Sequence, residues 1–253
     1  MTRFSEKRVL LTGAAGRIGA ATARQFGREG ARLVLADLSA EGLDALCAEL
    51  AQEGIEAHAA PYDALCPQDH PALMQKAIKA LGGLDILANI GGTYTKVHSH
   101  EMTDAEWARL LQVNLNSPFA LCREAIPALR DSKGVVCSVS SLAALEGVAY
   151  GTAYAASKAA LIAMTKSLAA EYAAAGIRFN AVVPGGVRSP MSHVPAPAGF
   201  DPELAFRRSK LAGLKDGLLE PEDIASAIAY LTAPSSRNIS GATLVVDGAQ
   251  NLM

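Results

Sequence analysis

Residues 8–19 read RVLLTGAAGRIG, and this stretch decides the fold. A short apolar run ends at Thr12, glycines follow at positions 13, 16 and 19, and a helical pattern begins at Ile18. Glycines allow a tight turn and let backbone N–H groups at the start of a helix approach a diphosphate. The stretch therefore predicts a strand–turn–helix unit that binds a dinucleotide. Its candidate contacts are Gly13, Gly16, Arg17, Ile18 and Gly19.

Short apolar runs alternate with longer helical segments along the chain. Runs bounded by Gly, Pro, Asp or Asn predict buried parallel strands at residues 8–12, 32–37, 55–60, 84–89, 134–140, 177–183 and 242–247. Helical periodicity predicts helices at 18–29, 40–52, 68–81, 104–129, 153–175 and 221–232, and Thr103 with Glu106 forms a capping box before the fourth. This order predicts an α/β fold, a single domain over residues 1–253 with a Rossmann-type, doubly wound parallel sheet of about seven strands flanked by helices.

An acidic residue, Asp37, ends the second predicted strand, 18 residues beyond Gly19. At this interval a carboxylate accepts hydrogen bonds from the adenosine ribose hydroxyls and repels a 2′-phosphate. The next residue, Leu38, is not basic and is a further candidate contact, so NAD is favoured over NADP. Two alternatives remain: Asp37 caps the following turn, or Arg17 recruits the 2′-phosphate of NADP.

Composition excludes several classes of function. The chain has 253 residues, is half hydrophobic and carries a net charge of −2, so nothing favours binding to nucleic acid or to an anionic membrane. No apolar run approaches the roughly 20 residues of a membrane span, and no secretory signal is recognised. The four cysteines have neither CxxC nor metal spacing. We expect a cytoplasmic protein with reduced thiols and no metal.

One irregular stretch, residues 187–219, separates the last two predicted α/β units. It contains four prolines and has no clear periodicity over more than 30 residues. Long segments of this kind in compact domains are usually functional lids or disordered loops. We predict a substrate lid here.

The motifs taken together resemble those of the short-chain dehydrogenase/reductase superfamily, standard-length type, over nearly the whole chain. The residues that carry the resemblance follow the family order: the turn at 12–19, Asp37, Asp63, the stretch NIG at 89–91, Asn114, Ser141, YAASK at 154–158, Pro184 with Gly185, and ISGATLVVDG at 239–248. A Tyr-x-x-x-Lys motif alone is common. A serine thirteen residues before its tyrosine, in this order, makes the resemblance specific.

The resemblance implies further cofactor contacts. Asp63 is expected to hydrogen-bond the adenine amino group, with Ala64 beside it. Asn89 and Gly91 are expected to pack against adenine and ribose. The nicotinamide end is expected to contact Tyr154, Lys158, Pro184, Gly185, Val187 and Ser189.

The predicted catalytic residues are Ser141, Tyr154, Lys158 and Asn114. Tyr154 and Lys158 are one helical turn apart, so an ammonium would stabilise the phenolate of a tyrosine whose ordinary pKa is about 10. The resemblance implies that Tyr154 is the acid–base, that Ser141 binds the substrate oxygen and that Asn114 holds a water. Taken singly, three of them have ordinary alternatives. Ser141 could be a plain turn hydroxyl, as could its neighbours Ser138 and Ser140. Lys158 could lie on a solvated helix face, and Asn114 could satisfy a helix end.

Two positions depart from the family pattern. The turn reads T-G-x-x-G-x-x-G, with Arg17 where standard-length members have glycine, and Ala88 stands where an asparagine is frequent. The first departure puts the loop conformation in question and supports the alternative of an NADPH-dependent carbonyl or 3-oxoacyl-thioester reductase. A second alternative is a dinucleotide sensor without catalysis, against which the complete set of catalytic residues argues.

The sequence thus predicts an NAD(H)-dependent enzyme that interconverts a modestly hydrophobic secondary alcohol and a ketone. Side chains that border the substrate pocket are expected among Tyr94, His98, His100, Glu146, Tyr150 and His193. The resemblance, with small residues on the helices at 104–129 and 153–175, implies a homotetramer.

Overall fold

A computed structural model describes residues 2–188, 194–205 and 218–252. Seven strands form one sheet: β1 (Arg8–Thr12), β2 (Arg32–Asp37), β3 (Ala57–Pro61), β4 (Ile86–Asn89), β5 (Val135–Val139), β6 (Arg178–Pro184) and β7 (Thr243–Val246). The helices are α1 (Arg17–Arg28), α2 (Ala40–Gln52), α3 (Asp69–Leu81), α4 (Asp104–Leu111), α5 (Ser117–Ser132), α6 (Thr152–Tyr172), α7 (Pro202–Ala205) and α8 (Pro221–Thr232). The strand order is β3-β2-β1-β4-β5-β6-β7, and every pairing is parallel. The predicted doubly wound α/β sheet is confirmed.

The core has one layer on each face of the sheet, because successive strand residues point to opposite sides. Val9 and Leu11 pack in the cluster that includes α1, α2 and α8, whereas Leu10 packs in the cluster that includes α3, α5 and α6. The direction of winding reverses between β1 and β4: β2 and β3 lie on one side of this pair, and β5, β6 and β7 lie on the other. A crevice at the carboxyl ends of these strands is where ligands bind in such sheets.

The predicted helix at 104–129 is wrong as a single element. Its start is confirmed, with the Thr103–Glu106 capping box in place. It is then interrupted by a π-helical turn at Gln112–Asn116, after which α5 runs on to Ser132. Pro118 explains the interruption, since it has no N–H to donate back to residue 114.

The other predicted boundaries agree with the structure to within two or three residues. The largest differences at a strand start are two residues, in β4, which begins at Ile86 and not at residue 84, and in β3, which begins at Ala57 and not at residue 55. The backbone N–H of Ile55 donates to the carbonyl of Leu50 at the end of α2, so Ile55 does not pair in the sheet. Among the helices in the described ranges, none is long and apolar enough to cross a membrane.

Candidate active site

A cavity of about 920 Å³ opens at the carboxyl ends of the central strands. Strand-end residues Thr12, Asp37 and Asn89 line it, together with Pro184 at the end of β6. The structure brings nearly all of the predicted site residues to this cavity: Gly13, Gly16, Arg17, Ile18, Gly19, Asp37, Leu38, Asp63, Ala64, Asn89, Gly91, Ser141, Tyr154, Lys158, Pro184, Gly185 and Val187. Asn114 lies behind the wall, and Ser189 falls outside the described residues.

The first turn leaves no room for side chains at two of its glycines. Gly13 has a φ of +68°, and a Cβ on it would lie 2.6 Å from the backbone of Gly91. A Cβ on Gly19 would lie 2.0 Å from the carbonyl oxygen of Gly13. The backbone therefore borders the cavity directly at the start of α1, as a diphosphate site requires.

Arg17 is accommodated because it is the first residue of α1 and has a helical backbone. Its side chain is exposed at the cavity, and its Nη1 donates to the carbonyl oxygen of Arg188 at 3.5 Å. Arg188 lies at the base of the irregular stretch, next to Val187, which pairs with Leu219. The guanidinium thus contacts the base of the predicted lid.

Asp37 makes the turn-capping contacts that were the alternative to a ribose role. One carboxylate oxygen accepts from the backbone N–H of Ala15 at 3.0 Å, and the other accepts from that of Ser39 at 3.1 Å. A carboxylate has about four acceptor positions, so this one caps the local turns and still has capacity for two hydroxyl donors. Leu38 beside it lines the cavity with 72% of its surface exposed.

Asn89, at the end of β4, has an unsatisfied polar atom at the cavity. Asn89 is buried, and its Nδ2 donates to Cys122 Sγ at 3.6 Å. Its Oδ1 is buried and has no hydrogen-bond partner within the described part of the chain. Asp63 binds the backbone N–H of Leu65 at 2.8 Å and also faces this cavity. The close-packed turn at Gly13 and Gly19, the Asp37 carboxylate and this amide oxygen fit a dinucleotide.

Lys158 is buried at the other end of the cavity. Its Nζ donates to the carbonyl oxygen of Val139 at 2.9 Å and lies 5.9 Å from the ring centroid of Tyr154. Only 3% of its surface is exposed, and burial lowers the pKa of its ammonium to about 8. Burial and the hydrogen bond to Val139 therefore hold the Lys158 ammonium close to the Tyr154 phenol.

The Tyr154 phenol has two opposing influences on its pKa. Burial raises the pKa above its usual value, and a hydrogen bond with the Ser141 side chain lowers it, with the raising effect larger. Tyr94 packs edge-on against Tyr154, with ring centroids 4.9 Å apart. Of the neighbouring serines, Ser140 donates to the carbonyl oxygen of Lys158 at 2.8 Å, and Ser141 is the one beside the phenol.

Asn114 lies in the π-helical turn and is fully buried. Its Oδ1 accepts from the backbone N–H of Thr93 at 2.8 Å, while its Nδ2 donates to the carbonyl of Thr93 at 2.9 Å and to Ser157 Oγ at 3.1 Å. A Cβ on Gly92 would lie 3.2 Å from Asn114 Oδ1 and 3.1 Å from Lys158 Nζ. Asn114 thus fixes the loop after β4 and the helix that carries Tyr154 and Lys158.

Comparison with known proteins gives the family. The family model described as Enoyl-(Acyl carrier protein) reductase, of the short-chain alcohol dehydrogenase type, matches residues 13–250. The chain belongs to the short-chain dehydrogenase/reductase superfamily. It is an oxidoreductase that acts on CH–OH groups with a nicotinamide dinucleotide.

Three curated proteins with sequences similar to this chain are named for different substrates. It is 37% identical to a cis-4-hydroxycyclohexanecarboxylate dehydrogenase of Sinomonas cyclohexanicum over 97% of this chain and 96% of the relative. It is 36% identical to 3beta-hydroxysteroid dehydrogenase 1 of Eggerthella lenta (97% and 94% covered). It is 34% identical to a 3-oxoacyl-(acyl-carrier-protein) reductase of Thermotoga maritima (97% and 98% covered).

Two solved short-chain dehydrogenases contain different nucleotides. A 7α-hydroxysteroid dehydrogenase in complex with NADH and 7-oxo glycochenodeoxycholic acid superposes with a TM-score of 0.90 at 30% identity (97% of this chain and 94% of that chain). A short-chain dehydrogenase from Burkholderia cenocepacia in complex with NADP gives a TM-score of 0.89, also at 30% identity (98% and 99%). The fold therefore accepts either nucleotide, and local residues select between them.

Sequence reasoning missed two residues of this short-chain dehydrogenase site. Gln250 lines the cavity, and its Oε1 accepts from the backbone N–H of Gly186 at 3.1 Å. Val139 supplies the carbonyl that holds Lys158. Nothing in the sequence signals either contact, because one depends on how the C-terminus returns to β6 and the other on a main-chain oxygen.

The irregular stretch is described in part. Leu204 and Ala205 of α7 line the cavity, and Val187 lines it at the base of the stretch. Residues 189–193 and 206–217 lie outside the described ranges, and with them His193. Among the residues that are described, no group of three or more His, Cys, Asp or Glu side chains is arranged to hold a metal ion.

Proposed function

We propose that the protein is an NAD(H)-dependent dehydrogenase of a cyclic secondary alcohol, with Tyr154 as general acid–base. The observation that carries the proposal is the placement of Ser141, Tyr154 and Lys158 at one end of a cavity whose other end has the Asp37 carboxylate. Relatives named for hydroxycyclohexanecarboxylate, 3β-hydroxysteroid and cyclohexanol support a ring alcohol. Apolar side chains at the catalytic end of the cavity agree with this: Tyr94, Leu142, Ala143, Val148 and Leu204.

In the oxidation direction the Tyr154 phenolate takes the hydroxyl proton of the alcohol. When bound, the nicotinamide supplies the hydride acceptor for the carbon of the same alcohol. The Ser141 hydroxyl donates to the substrate oxygen and stabilises its developing negative charge. In reduction Tyr154 returns the proton to the carbonyl oxygen.

Lys158 makes this proton transfer feasible near neutral pH. Burial raises the pKa of Tyr154, which disfavours the phenolate. A protonated Lys158 on the same face of α6 offsets this through its charge. Asn114 contributes by holding α6 and the loop after β4 together through Ser157 and Thr93.

NAD is favoured over NADP by the geometry of two side chains. Asp37 presents negative charge at the position expected for the adenosine ribose, which repels a 2′-phosphate. The Arg17 guanidinium, the main support for NADP, is directed to the Arg188 carbonyl oxygen. The alternative of an NADPH-dependent 3-oxoacyl-thioester reductase retains the support of one relative with that activity.

We further propose a cytoplasmic homotetramer without nucleic-acid or membrane partners, and a lid over the substrate end formed by residues 187–219. The net charge of −2 supports the absence of polyanion binding. The contribution of Leu204 and Ala205 to the cavity wall supports the lid.

The role of Tyr154 is tested by Tyr154→Phe. We expect oxidation of cyclohexanol with NAD to fall by about a hundredfold to ten-thousandfold, the usual contribution of a general acid–base. The NADH dissociation constant, measured by fluorescence titration, should change less than threefold. Tyr172→Phe on the same helix, outside the cavity lining, is the matched control. A Tyr154→Phe variant that turned over like wild type would refute the mechanism.

The cofactor assignment is tested by titrating NADH and NADPH into wild type, Asp37→Asn and Asp37→Ala. Wild type should bind NADH more tightly. Loss of charged hydrogen bonds to two hydroxyls should weaken NADH by about tenfold to a hundredfold and erode the preference. Asp44→Asn, an exposed position on α2, is the control. Tighter NADPH binding by wild type would favour the reductase alternative.

A further inference from the structure

Tyr150 has an aromatic side chain in a backbone conformation that favours glycine. Its φ is 63°, in the left-handed region, where bulky residues are uncommon and strained. Such a conformation persists when surrounding contacts hold it. Tyr150 is two residues before Thr152, where α6 begins, and four before Tyr154.

The first set of contacts joins Tyr150 to the loop after β4. Its carbonyl oxygen accepts from the backbone N–H of Val97 at 3.0 Å. Its ring packs edge-on against His98, with centroids 5.0 Å apart and planes at 86°. These contacts fix both the main chain and the ring of Tyr150 from one side.

The second set joins Tyr150 to the segment 194–205. Its hydroxyl oxygen accepts from the backbone N–H of Asp201 at 3.1 Å. Its ring lies 5.0 Å from that of Phe200, centroid to centroid. Tyr150 therefore connects the start of α6, the loop after β4 and the segment 194–205.

Two neighbours of Tyr150 hold the same segment. Lys96 Nζ donates to the carbonyl oxygen of Val194 at 3.2 Å and lies 5.7 Å from the ring centroid of Phe200. His98 Nε2 is hydrogen-bonded to the carbonyl oxygen of Ala198 at 2.9 Å. Because the segment is anchored at 194, 198, 200 and 201, its path beyond Asp201 is determined by these contacts.

Hydrogen bonds lead from Tyr150 to the cavity wall. Asp201, whose N–H is bound by Tyr150, accepts with its Oδ1 from the backbone N–H groups of Glu203 at 2.8 Å and Leu204 at 3.2 Å. These bonds begin α7, which brings Leu204 and Ala205 to the cavity that Tyr154 lines. Tyr150 itself does not belong to the cavity lining.

We propose that Tyr150 is a positioning residue that fixes where Leu204 lies in the wall of the substrate cavity. Tyr150 thereby determines affinity for the alcohol and takes no part in proton or hydride transfer. The inference rests on the proposed function in one respect, because it assigns the substrate to the same end of the cavity as Tyr154. Loss of the Tyr150 contacts should therefore change the KM for the substrate and leave the affinity for the cofactor unchanged.

The test compares wild type with Tyr150→Phe, which keeps the ring and removes the acceptor for Asp201. With NADH bound, amide hydrogen exchange of a peptide covering 198–205 should accelerate about fivefold, the effect of one lost hydrogen bond. The KM for cyclohexanol with NAD should rise about fivefold, with kcat and the NADH dissociation constant within twofold of wild type. Tyr230→Phe, a half-exposed tyrosine of α8, is the matched control and should leave all four quantities unchanged.

A double-mutant cycle separates positioning from a general loss of stability. Leu204→Ala should raise the KM for cyclohexanol by itself, and Tyr150→Phe should add little in that background, because its effect passes through Leu204. Independent, multiplicative effects on KM would overturn the proposal, as would unchanged exchange at 198–205. If wild type fails to oxidise any alcohol, the proposed function fails, and the exchange measurement still decides the Tyr150–Asp201 contact.

Discussion

The proposed catalytic residue Lys158 places an ammonium group in the protein interior. The ammonium is almost fully buried and is bound by one backbone carbonyl, that of Val139. Burial lowers its pKa from 10.5 to about 8. A group whose pKa is lowered on folding destabilises the native state most when both states are protonated, that is, below pH 8. The penalty then diminishes as the pH rises from about 8 to 10.5.

This predicts that Lys158→Met abolishes turnover and yet stabilises the protein at pH 7. Removal of the buried charge should raise the free energy of unfolding by about 2 kcal/mol, after allowance for the lost hydrogen bond to Val139. The gain should shrink toward zero at pH 10, where wild-type Lys158 is neutral. Urea unfolding of both proteins at pH 7 and pH 10 measures the difference.

The matched control for this effect is Lys166→Met, an exposed position on the same helix. It should change stability little and equally at both pH values. A Lys158→Met variant that is no more stable than wild type at pH 7 would show that the ammonium is well solvated in the folded state.

Single residues differ in how far the sequence could reveal their positions. Tyr154 and Lys158 share a helix face by spacing alone, and Asp37 ends a strand that any pattern reading would find. Arg17 is different: its sequence position suggested a phosphate contact, and nothing in the sequence signals the contact of its guanidinium with the Arg188 carbonyl oxygen. A long side chain reaches several partners from one backbone position, so its target depends on tertiary structure.

At the scale of elements, the α/β alternation was readable and the interruption between α4 and α5 was not. Residues 104–129 have the apolar periodicity of a helix. A π-helical turn shifts this periodicity by only one residue and needs neither a Gly nor a loop. Pro118 was a visible signal, but a proline is also tolerated in the first turn of a new helix, where α5 in fact begins. The turn places the Asn114 amide against Thr93 and Ser157.

The start of α6 was also beyond sequence reasoning in one respect. Its bounds follow from periodicity, yet the left-handed Tyr150 before it is a residue type that no turn rule places there. The tertiary contacts with Val97, His98, Phe200 and Asp201 explain it. Strain of this kind is stored where tertiary contacts determine the backbone.

At the scale of the whole molecule, the two helices that follow β4 carry partly exposed aromatic side chains. Trp107 on α4 and Phe119 on α5 remain 38% and 45% exposed. Large exposed aromatic residues are enriched at protein–protein interfaces, where they become the buried centre of the contact. These two positions lie on the helices for which the sequence predicted subunit contacts, and they support the proposed homotetramer.

Phe119→Glu is therefore expected to dissociate the assembly. Light scattering coupled to size-exclusion chromatography should give a four-chain mass for wild type and a one- or two-chain mass for the variant, because a carboxylate buried in an apolar interface lacks a partner. Ala51→Glu, which adds the same charge at an exposed position of α2, should remain tetrameric. NADH titration of the dissociated variant shows whether the dinucleotide site needs the assembly. Because the proposed nucleotide contacts all lie on the same chain, the NADH affinity of the variant should match wild type. A wild-type protein that elutes as a monomer would refute the tetramer.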